Sequence, residues 1–437
     1  MDNLNFFKNI GINIDDLNQL KQKIDNVVSN IGQHKFENEF VLKILNLPEF
    51  EILNTIYQDL KDKKICFVAN IADGVGHWIA ELDYFFRKQH LNEIDANYFI
   101  LIRKPNHLAD TCLSYYGHKF DLAACDNNLY NLFLPITMHF HDITFDAGLS
   151  RLKWQMPKDN YVPVTPDGQS YVHQINKKEN RNDWERYYSS RSKTVDYYPL
   201  KINTTKEEVE IILKKRFKKI AIIHLKNASC NAAAAVTTSA TYLPTILFLK
   251  KQGYTVVFGG REVMPREYRS LGVINYAESP QASFSNDFKL FSQASNTIMC
   301  ASGVSLLSEC LEIPLIYFNH WHIARVPFPK NSICVPSLVK EKKTGRTLSF
   351  LEQILLYNNR PDVGAEIFPF EEYESINATA EDLLQSTIEM EDLIKNNTPM
   401  NDLQLKFNKI HNEGQIVDTL SRISSHFVTT HQNLITT

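Results

Sequence analysis

The sequence predicts an α/β protein built from two parallel-sheet domains, and three observations support this prediction. Short apolar runs end in turns rich in glycine or serine, as at residues 64–76, 254–261 and 296–303. Segments whose apolar residues recur every three or four positions follow these runs, which is typical of amphipathic helices. The alternation occurs in both halves of the chain, and repeated strand–helix–strand units favour a parallel sheet.

Composition narrows the class of protein before any motif is considered. The chain has 437 residues, 43% hydrophobic and 22% charged, which suits two or three globular domains with real cores. A net charge of -3 gives no support for a nucleic-acid partner. Seven scattered cysteines without a CxxC pair indicate reduced thiols rather than a disulfide framework or a zinc site.

The first residues and the lengths of the apolar runs indicate where in the cell the protein is expected. The first residues, MDNLNFFKNIGINIDD, have neither the basic start nor the apolar core of a signal peptide. No apolar stretch approaches the roughly 20 residues of a membrane-spanning helix. We therefore expect a cytoplasmic protein without a transmembrane segment, and we leave peripheral membrane contact and the oligomeric state open.

The first half begins with a helical segment, in which Leu17, Leu20 and Ile24 recur at helical spacing. Strands are predicted at 64–70 and 97–104, with a helix between them and a third strand at 132–140. Residues 157–200 are polar, aromatic and aperiodic, which indicates a connection or an elaborated loop. The predicted division is a helical segment 1–62, a first parallel-sheet domain 63–156, a linker or loop 157–204, a second parallel-sheet domain 205–400 and a helical tail 401–437.

The second half repeats the pattern more clearly. A helix with a threonine N-cap begins near Thr205, and strands are predicted at 219–226, 254–261, 297–301 and from Pro314 to His322. Helices are predicted between these strands, and two more follow them at 349–357 and 378–396. Because the carboxyl ends of parallel strands share one edge of a sheet, we expect the polar residues that follow these strands to gather there.

The turn after the strand at 297–301 is the strongest candidate for anion binding. Ser302 and Gly303 stand where a strand meets a helix, whose first N–H groups and positive dipole end favour phosphate. Ser302, Ser305 and Glu309 are predicted on one helix face, with the serines on phosphate and Glu309 on ribose. The alternative is that Ser302 only caps the helix and Glu309 is a solvated charge. The next strand ends in Asn319 and His320, which are further candidates for donor binding.

Two cationic side chains follow neighbouring predicted strands. Gly260 and Arg261 end one strand, and the arginine fork matches phosphate oxygens. A surface salt bridge of Arg261 with Glu262 or Glu267 is the alternative. Lys226 and Asn227 end another strand, where the lysine would supply a second positive charge beside an alanine-rich loop.

The first domain supplies the candidate base. Gly74 and Gly76 permit a tight strand-to-helix turn that leaves space for a sugar, although IADGVGH lacks the third glycine of a dinucleotide fingerprint. His77 would begin the following helix and could take a proton from a hydroxyl near neutral pH. A structural cap is the alternative for His77, and Asp73 is a second candidate base.

A cluster of histidine and aspartate residues near position 140 is weaker evidence for a metal site. His139, His141, Asp142 and Asp146 cluster in MHFHDITFD, but no third ligand is convincingly spaced for zinc. The chain also lacks the Asp-x-Asp pair that commonly holds a sugar diphosphate through a divalent cation. We therefore expect no metal and no cofactor.

The second half resembles a family of uncharacterised bacterial glycosyltransferases with two facing Rossmann-like domains, the GT-B arrangement. The resemblance covers roughly residues 205–400, and in the first half GVGHWIAELDYFFR is similar to the family's first glycine turn and helix. Lys226 stands where the family commonly has arginine. By implication, the second domain binds a nucleotide-sugar and the first presents an acceptor. The segments that carry the resemblance are IIHLKN, YLPTILFLKKQGYTVVFGGR, ASGVSLLSECLEIPLIYFN and VPFPKNSICVPSLVKEKKTGRTLSFLEQIL.

These features together predict a metal-independent glycosyltransferase that acts on a glycan or glycoconjugate acceptor in surface polysaccharide assembly. One alternative is a nucleotide-sugar epimerase or hydrolase of the same fold, for which His320, His322 and Glu309 would surround the sugar. The other is a non-catalytic protein that binds a nucleotide-sugar.

Overall fold

The protein divides into two compact units, Met1–Asp183 and Trp184–Thr437, in a computed structural model. The division falls inside the predicted linker 157–204, and the finer segment boundaries stay predictions. Each unit is α/β and contains a parallel sheet, which confirms the predicted fold class. The described residues are 4–31, 51–70, 75–103, 114–115, 120–124, 130–133, 136–137, 140–146, 187, 190–226, 236–300, 302–321, 323, 329–359, 368–413 and 421–435.

The described residues before the first sheet form the helices α1 (Asn5–Asn9), α2 (Ile14–Ile31) and α3 (Glu51–Asp62). Their apolar residues are buried on one side, and Leu17, Leu20 and Ile24 lie in α2 as the helical spacing predicts. The buried stripes share one apolar core with strand residues of the first sheet, so the helical segment is part of the first unit rather than an appendage. The contributing residues include Leu17, Leu20, Ile24, Ile56, Leu60, Ile65 and Phe67.

The first sheet is fully parallel, and its order β3-β2-β1-β4 equals 3-2-1-4 along the chain. The predicted strands at 64–70 and 97–104 are confirmed as β1 and β2. Helix α4 (Val75–His90) connects them and buries Trp78, and its buried Asp83 and Arg87 form an ion pair of 2.7 Å one turn apart. The four strands are β1 (Ile65–Asn70), β2 (Tyr98–Arg103), β3 (Leu122–Ala124) and β4 (Thr144–Asp146).

The third strand predicted at 132–140 is wrong. Residues 130–133 and 136–137 are helical, and the strand is β4, which follows a 3-10 turn, His141–Ile143. Leu132, Phe133 and Ile136 are all buried, so the apolar residues follow a helical spacing. A proline at position 135 also lacks the N–H that a central strand needs.

The second sheet has seven parallel strands in the order β7-β6-β5-β8-β9-β10-β13. Counted within this sheet, the order is 3-2-1-4-5-6-7, whose first six places are those of a doubly wound Rossmann sheet. The predicted strands in this half are confirmed, each within a few residues. The strands are β5 (Lys219–Ile223), β6 (Tyr254–Phe258), β7 (Ile274–Asn275), β8 (Asn296–Met299), β9 (Leu315–His320), β10 (Ser332–Pro336) and β13 (Arg422–Ile423).

The N-cap predicted at Thr205 is confirmed, and some other helices on this sheet also begin with side-chain caps. Thr205 caps α5, and Glu208 bonds back to the Thr205 backbone, which forms a capping box. Thr379 and Asp382 form a second capping box at α11. The helices are α5 (Lys206–Leu213), α6 (Leu243–Lys251), α7 (Arg266–Ser270), α8 (Phe284–Ser292), α9 (Ser305–Cys310), α10 (Phe350–Asn359), α11 (Ala380–Asn396), α12 (Asp402–Glu413) and α13 (Ser425–Thr430).

The tail after residue 400 is more than the predicted helix. Strand β13 pairs in parallel with β10 and forms the outer strand of the second sheet. Phe407 of α12 and Phe427 of α13 pack in the same apolar core as Phe350 of α10. A separate two-stranded antiparallel sheet joins β11 (Leu338–Glu341) to β12 (Tyr373–Ile376).

The end of the predicted linker is anchored to the second unit. Arg191 is buried, and its Nη2 donates to the Glu309 carbonyl at 3.1 Å and to the carboxylate of Glu312. Its Nη1 donates to the Tyr187 hydroxyl at 2.9 Å. This part of the linker is therefore tied to the carboxyl end of α9.

Two further observations concern location and thiols. Among the helices that the structure describes, none combines the length and apolar composition needed to cross a bilayer. The described cysteines Cys66, Cys300, Cys310 and Cys334 are buried and carry free thiols.

Candidate functional site

The strand order of the second sheet locates its ligand-binding edge. Strands β5 and β8 are neighbours, and the chain leaves them toward opposite sides of the sheet order. In doubly wound sheets, ligands bind outside the carboxyl ends of the strands at this reversal. The residues that follow β5, β6 and β8 include Lys226, Arg261 and Ser302, which are the predicted anion ligands.

Lys226 lies beside the end of β8. It is half-buried, pairs with Val236 through an isolated bridge, and accepts a bond from the Thr237 amide at 3.4 Å. Burial raises the pKa of the neighbouring Cys300 thiol to about 12, and the positive charge of Lys226 partly lowers that pKa. Lys226 therefore brings positive charge to the reversal point, whereas Asn227 lies outside the described residues.

Gly260 closes the turn after β6 and leaves no room for a side chain. Its φ is +98°, and a Cβ atom would lie 2.4 Å from His224 Nδ1 and 2.9 Å from Glu262 Oε2. Glycine is needed for the backbone conformation and for the close approach. The Gly259–Gly260 turn is thus fitted around the His224 ring.

His224 follows β5 and is a buried partner of this turn. Its Nδ1 lies 3.3 Å from the Gly259 carbonyl and 3.3 Å from Glu262 Oε2. Burial lowers the pKa of His224, and Glu262 opposes that shift. Glu262 Oε2 also accepts from the Arg261 amide at 3.2 Å. Together, His224 and Glu262 fix the backbone from which the Arg261 side chain extends.

Arg261 forms an ion pair, but with neither predicted partner. Its Nη2 lies 3.3 Å from Asp287 Oδ2, and 57% of its side chain is exposed. Glu262 instead holds the turn, and Glu267 accepts a bond from Ser239. Arg261 keeps several guanidinium N–H groups at an exposed position, where an anion can reach them.

The Ser302–Gly303 turn differs from the predicted helix start. Helix α9 begins at Ser305 after Val304, without a side-chain cap, so Ser302 is not the N-cap. The Ser305 hydroxyl donates to the Ser302 carbonyl at 2.7 Å. Gly303 is exposed, and within the described part of the chain the Ser302 hydroxyl has no hydrogen-bond partner. An incoming acceptor would satisfy that hydroxyl.

The predicted face of Ser302, Ser305 and Glu309 is only partly formed. Ser305 and Glu309 are four residues apart on α9 and both are buried, with 2% and 3% exposure. Ser302 precedes the helix, so helical spacing does not relate it to the other two. Glu309 is therefore not the solvated charge that the alternative required, and its contact with ribose stays a prediction.

Asn319 has a structural role at the end of β9. It adopts φ +54°, is fully buried, and donates from Nδ2 to Thr237 Oγ1 at 2.8 Å. Its Oδ1 accepts from the Ala378 amide at 2.7 Å. These bonds tie the segment after β5 to the start of α11. His320 is also buried, with its ring 4.7 Å from that of Tyr317.

In the first unit, the candidate base His77 belongs to the helix that follows β1. His77 lies in the first turn of α4, its side chain lies outside the described residues, and Gly76 is buried beside it. Asp73 and Gly74 lie outside the described residues. Strand β1 lies between β2 and β4, so the residues that come after β1 in the chain also follow a 3-2-1-4 reversal point.

The alternative metal cluster is only partly described. Asp142 accepts from Lys61 Nζ at 2.9 Å and from the Tyr57 hydroxyl, and these contacts lower its pKa against the effect of burial. His139 and the side chains of His141 and Asp146 lie outside the described residues. Within the described residues, no group of three histidine, cysteine or carboxylate side chains is placed to hold a metal.

Three residues at this edge were missed from the sequence: His224, Glu262 as a partner of His224, and Asp287. His224 could have been found, since it follows a clean apolar strand two residues before Lys226. Asp287 gave no signal, because a carboxylate on an amphipathic helix looks like an ordinary solvated charge.

Comparison with known proteins gives distant likenesses only. No protein-family profile matches the chain, and no curated protein matches it. Among solved structures, it is similar to a glycosyl transferase of family 9 from Veillonella parvula, with 11% identity and a TM-score of 0.39. That likeness covers 62% of this chain and 86% of the other.

Two further solved structures are similar. The E. coli heptosyltransferase WaaC with ADP has 13% identity and a TM-score of 0.35, over 62% of this chain and 90% of the other. The UDP-GlcNAc 2-epimerase from Methanocaldococcus jannaschii has 12% identity and a TM-score of 0.23, over 59% and 71%. With TM-scores below 0.5, these likenesses carry no argument for the activity of this chain.

Proposed function

We propose that this protein is a metal-independent glycosyltransferase, which moves a sugar from a nucleotide-sugar donor to a glycan or glycoconjugate acceptor. The proposal places the protein in the cytoplasm and in surface polysaccharide assembly. One observation carries it: the carboxyl ends of β5, β6 and β8 meet at the reversal point of a Rossmann-ordered sheet, where Lys226, Arg261 and Ser302–Gly303 follow them.

The chemistry of this edge suits a diphosphate. Arg261 offers a forked donor set and Lys226 a second positive charge, and the Ser302 hydroxyl is available to donate. Negative charge develops on the leaving diphosphate as its bond to the sugar breaks, so fixed cations beside it would stabilise the transition state. The proposed site thus neutralises the leaving group with side chains of the chain itself.

The chemical step needs a base for the acceptor hydroxyl. In the proposed reaction, the hydroxyl oxygen attacks the anomeric carbon, its proton passes to the base, and the bond from that carbon to the diphosphate oxygen breaks. His77 in α4 is the proposed base, with Asp73 as the second candidate. Glu309 is the proposed ribose contact of the donor.

A thermal-shift screen against UDP-, GDP-, CMP-, dTDP- and ADP-sugars tests the donor site. A ligand that binds only the folded protein raises its melting temperature, and the rise grows with the logarithm of the ligand concentration above the dissociation constant. Stabilisation by one nucleotide-sugar, lost in Arg261→Ala and kept in Arg269→Ala, is the expected result. Equal stabilisation of both variants by every sugar would contradict the donor site.

Turnover separates transfer from the alternatives. The selected donor is incubated with and without a panel of glycan acceptors, and release of nucleotide is measured. Transfer predicts acceptor-dependent release, which His77→Ala abolishes while donor binding persists. An epimerase or hydrolase would convert the donor alone, and binding without any turnover would indicate a non-catalytic protein.

A further inference from the structure

A carboxyl group with little exposure lies against the guanidinium of Arg261. Asp287 belongs to α8, and its Oδ2 is 3.3 Å from Arg261 Nη2. The Asp287 side chain is 16% exposed, whereas that of Arg261 is 57% exposed. The pair makes one such contact rather than a bidentate fork, so an anion at the exposed side of Arg261 would compete with Asp287 for the same positive charge.

The position of Asp287 is fixed by its own helix and by Tyr276. The Asp287 amide donates to the Ser283 carbonyl at 2.9 Å, and Ser283 caps α8. Tyr276 is buried, and its hydroxyl donates to the same Ser283 carbonyl at 3.3 Å. Tyr276 also lowers the pKa of the Asp287 carboxyl, although its one hydroxyl proton is donated to Ser283. The helix cap therefore fixes the backbone of Asp287 beside Arg261.

The charge of Asp287 is poorly compensated in this position. Burial raises the pKa of Asp287 to about 6, and Arg261 and Tyr276 only partly offset that effect. Of the helices packed on α8, α5 presents Glu208, which pairs with Lys289 at 3.4 Å, and α9 presents the buried Glu309. Arg261 is the cation that acts on the carboxylate.

We propose that Asp287 is a positioning residue of the donor site, which holds Arg261 and takes up a proton when a diphosphate binds there. The inference rests on the proposed function and adds a proton to the binding equilibrium. A bound anion engages the guanidinium and brings further negative charge toward Asp287, and both effects favour the neutral carboxyl. The proton comes from solvent, and no covalent bond between heavy atoms changes.

The sign of the pH dependence follows from this proton uptake. Because the complex holds one more proton than the free protein, anion affinity rises as the pH falls toward about 6. The dependence is at most about tenfold per pH unit for one proton. Below about pH 6 the free carboxyl is already largely protonated, so the affinity levels off.

Sulfate is a suitable probe, because it stays a dianion over the whole working range. Melting temperature is measured against sodium sulfate concentration between about pH 5.5 and 8, with sodium chloride at matched ionic strength as the blank, and yields a dissociation constant at each pH. The wild type should bind sulfate about three- to tenfold more weakly at pH 7.5 than at pH 6.

Two variants test whether Asp287 causes the pH dependence of sulfate affinity. Asp287→Asn should bind sulfate at pH 7.5 as tightly as the wild type does at pH 6, with almost no pH dependence. The matched control is Glu267→Gln, which removes an exposed carboxylate that bonds Ser239, and it should keep the wild-type slope. Weaker sulfate binding in Asp287→Asn, or an unchanged slope, would overturn the proposal.

Arg261→Ala separates this inference from the proposed function. Sulfate binding that depends on Arg261 but has no pH slope would overturn the role of Asp287 and leave the donor site standing. If Arg261→Ala changes neither sulfate nor nucleotide-sugar binding, both proposals fail together.

Discussion

Two groups of strand ends in the second sheet carry polar residues of similar type, but these residues differ in burial and in hydrogen bonding. At the inner edge, defined by Lys226, Arg261 and Ser302, the side chains retain exposure or unused hydrogen-bonding capacity. At the outer edge, defined by Asn319 and His320, both side chains are buried. The internal bonds of Asn319 span 82 and 59 residues. The inner edge is the proposed ligand site, whereas Asn319 at the outer edge links distant segments of the fold.

This difference is physical rather than compositional. A buried polar group that loses its partner costs about 1–3 kcal/mol, whereas an exposed one can return to water. Substitutions at the outer edge should therefore lower stability, and those of exposed side chains at the inner edge should lower binding. Four substitutions test this contrast, beginning with the largest expected effect.

Gly260→Ala tests the turn that supports the inner edge, and it should destabilise the protein by more than about 3 kcal/mol. The added Cβ meets His224 Nδ1 at 2.4 Å, and φ is +98°. Gly253→Ala is the matched control, since its φ is +82° with nothing within 4 Å, so it should lose only about 1 kcal/mol. Urea unfolding measures both, and equal losses would show that the His224 contact is unimportant.

Asn319→Ala should cost about 3 kcal/mol, because it leaves the Ala378 amide and Thr237 without their partner and places alanine in a left-handed conformation. Asn397→Ala is the control: it is exposed, has φ +48° and should lose about 1 kcal/mol. Chemical denaturation compares the two. A loss no greater than that of the control would remove the distinction between the edges.

Asp287→Asn should change how stability depends on pH. The pKa of Asp287 is raised from 3.8 to about 6 in the folded protein, so the folded state binds this proton more tightly than the unfolded state. Its contribution is present below about pH 4 and is lost by about pH 6, an effect of about 3 kcal/mol. The free energy of unfolding, measured from pH 4 to 8, should lack this decline in the variant. Parallel curves would contradict the assignment.

Arg261→Ala should lower stability at neutral pH by no more than about 1 kcal/mol, because the ion pair is single and Arg261 is exposed, although Asp287 loses its cation. Donor affinity should fall about 10- to 100-fold, as expected for a charged hydrogen bond of about 1.5–3 kcal/mol. Arg269→Ala removes a similarly exposed pair with Glu278 and should leave donor affinity unchanged. Calorimetric titration with the donor provides the comparison, and equal affinities would place the anion elsewhere.

The sequence was sufficient for most of the second sheet, because short apolar runs between glycine and proline signals have few alternatives. It was insufficient at residues 132–140, where a helical burial pattern around a proline resembled a strand. For the site, residue type and strand order brought Lys226, Arg261 and Ser302 to one edge. The same reasoning could not separate Asn319 from them, because its partners, Thr237 and Ala378, are set by tertiary contacts.

The ion pair of Arg261 shows the same limit. Sequence proximity favoured Glu262 or Glu267, yet the partner is Asp287, 26 residues away. A neighbour in sequence is only one of the groups that the fold can bring near a charge. Here the Glu262 carboxylate contacts the Arg261 amide and the buried His224 ring instead of the Arg261 guanidinium.

The pairing of β13 with β10 has a consequence for how the protein is made. During synthesis, β10 emerges from the ribosome well before Arg422 and Ile423. The backbone N–H and C=O groups that pair with β13 therefore lack this partner while nearly ninety further residues are added. An unpaired strand edge invites association with other chains. The second sheet therefore reaches its full width only after Arg422 and Ile423 have been synthesised.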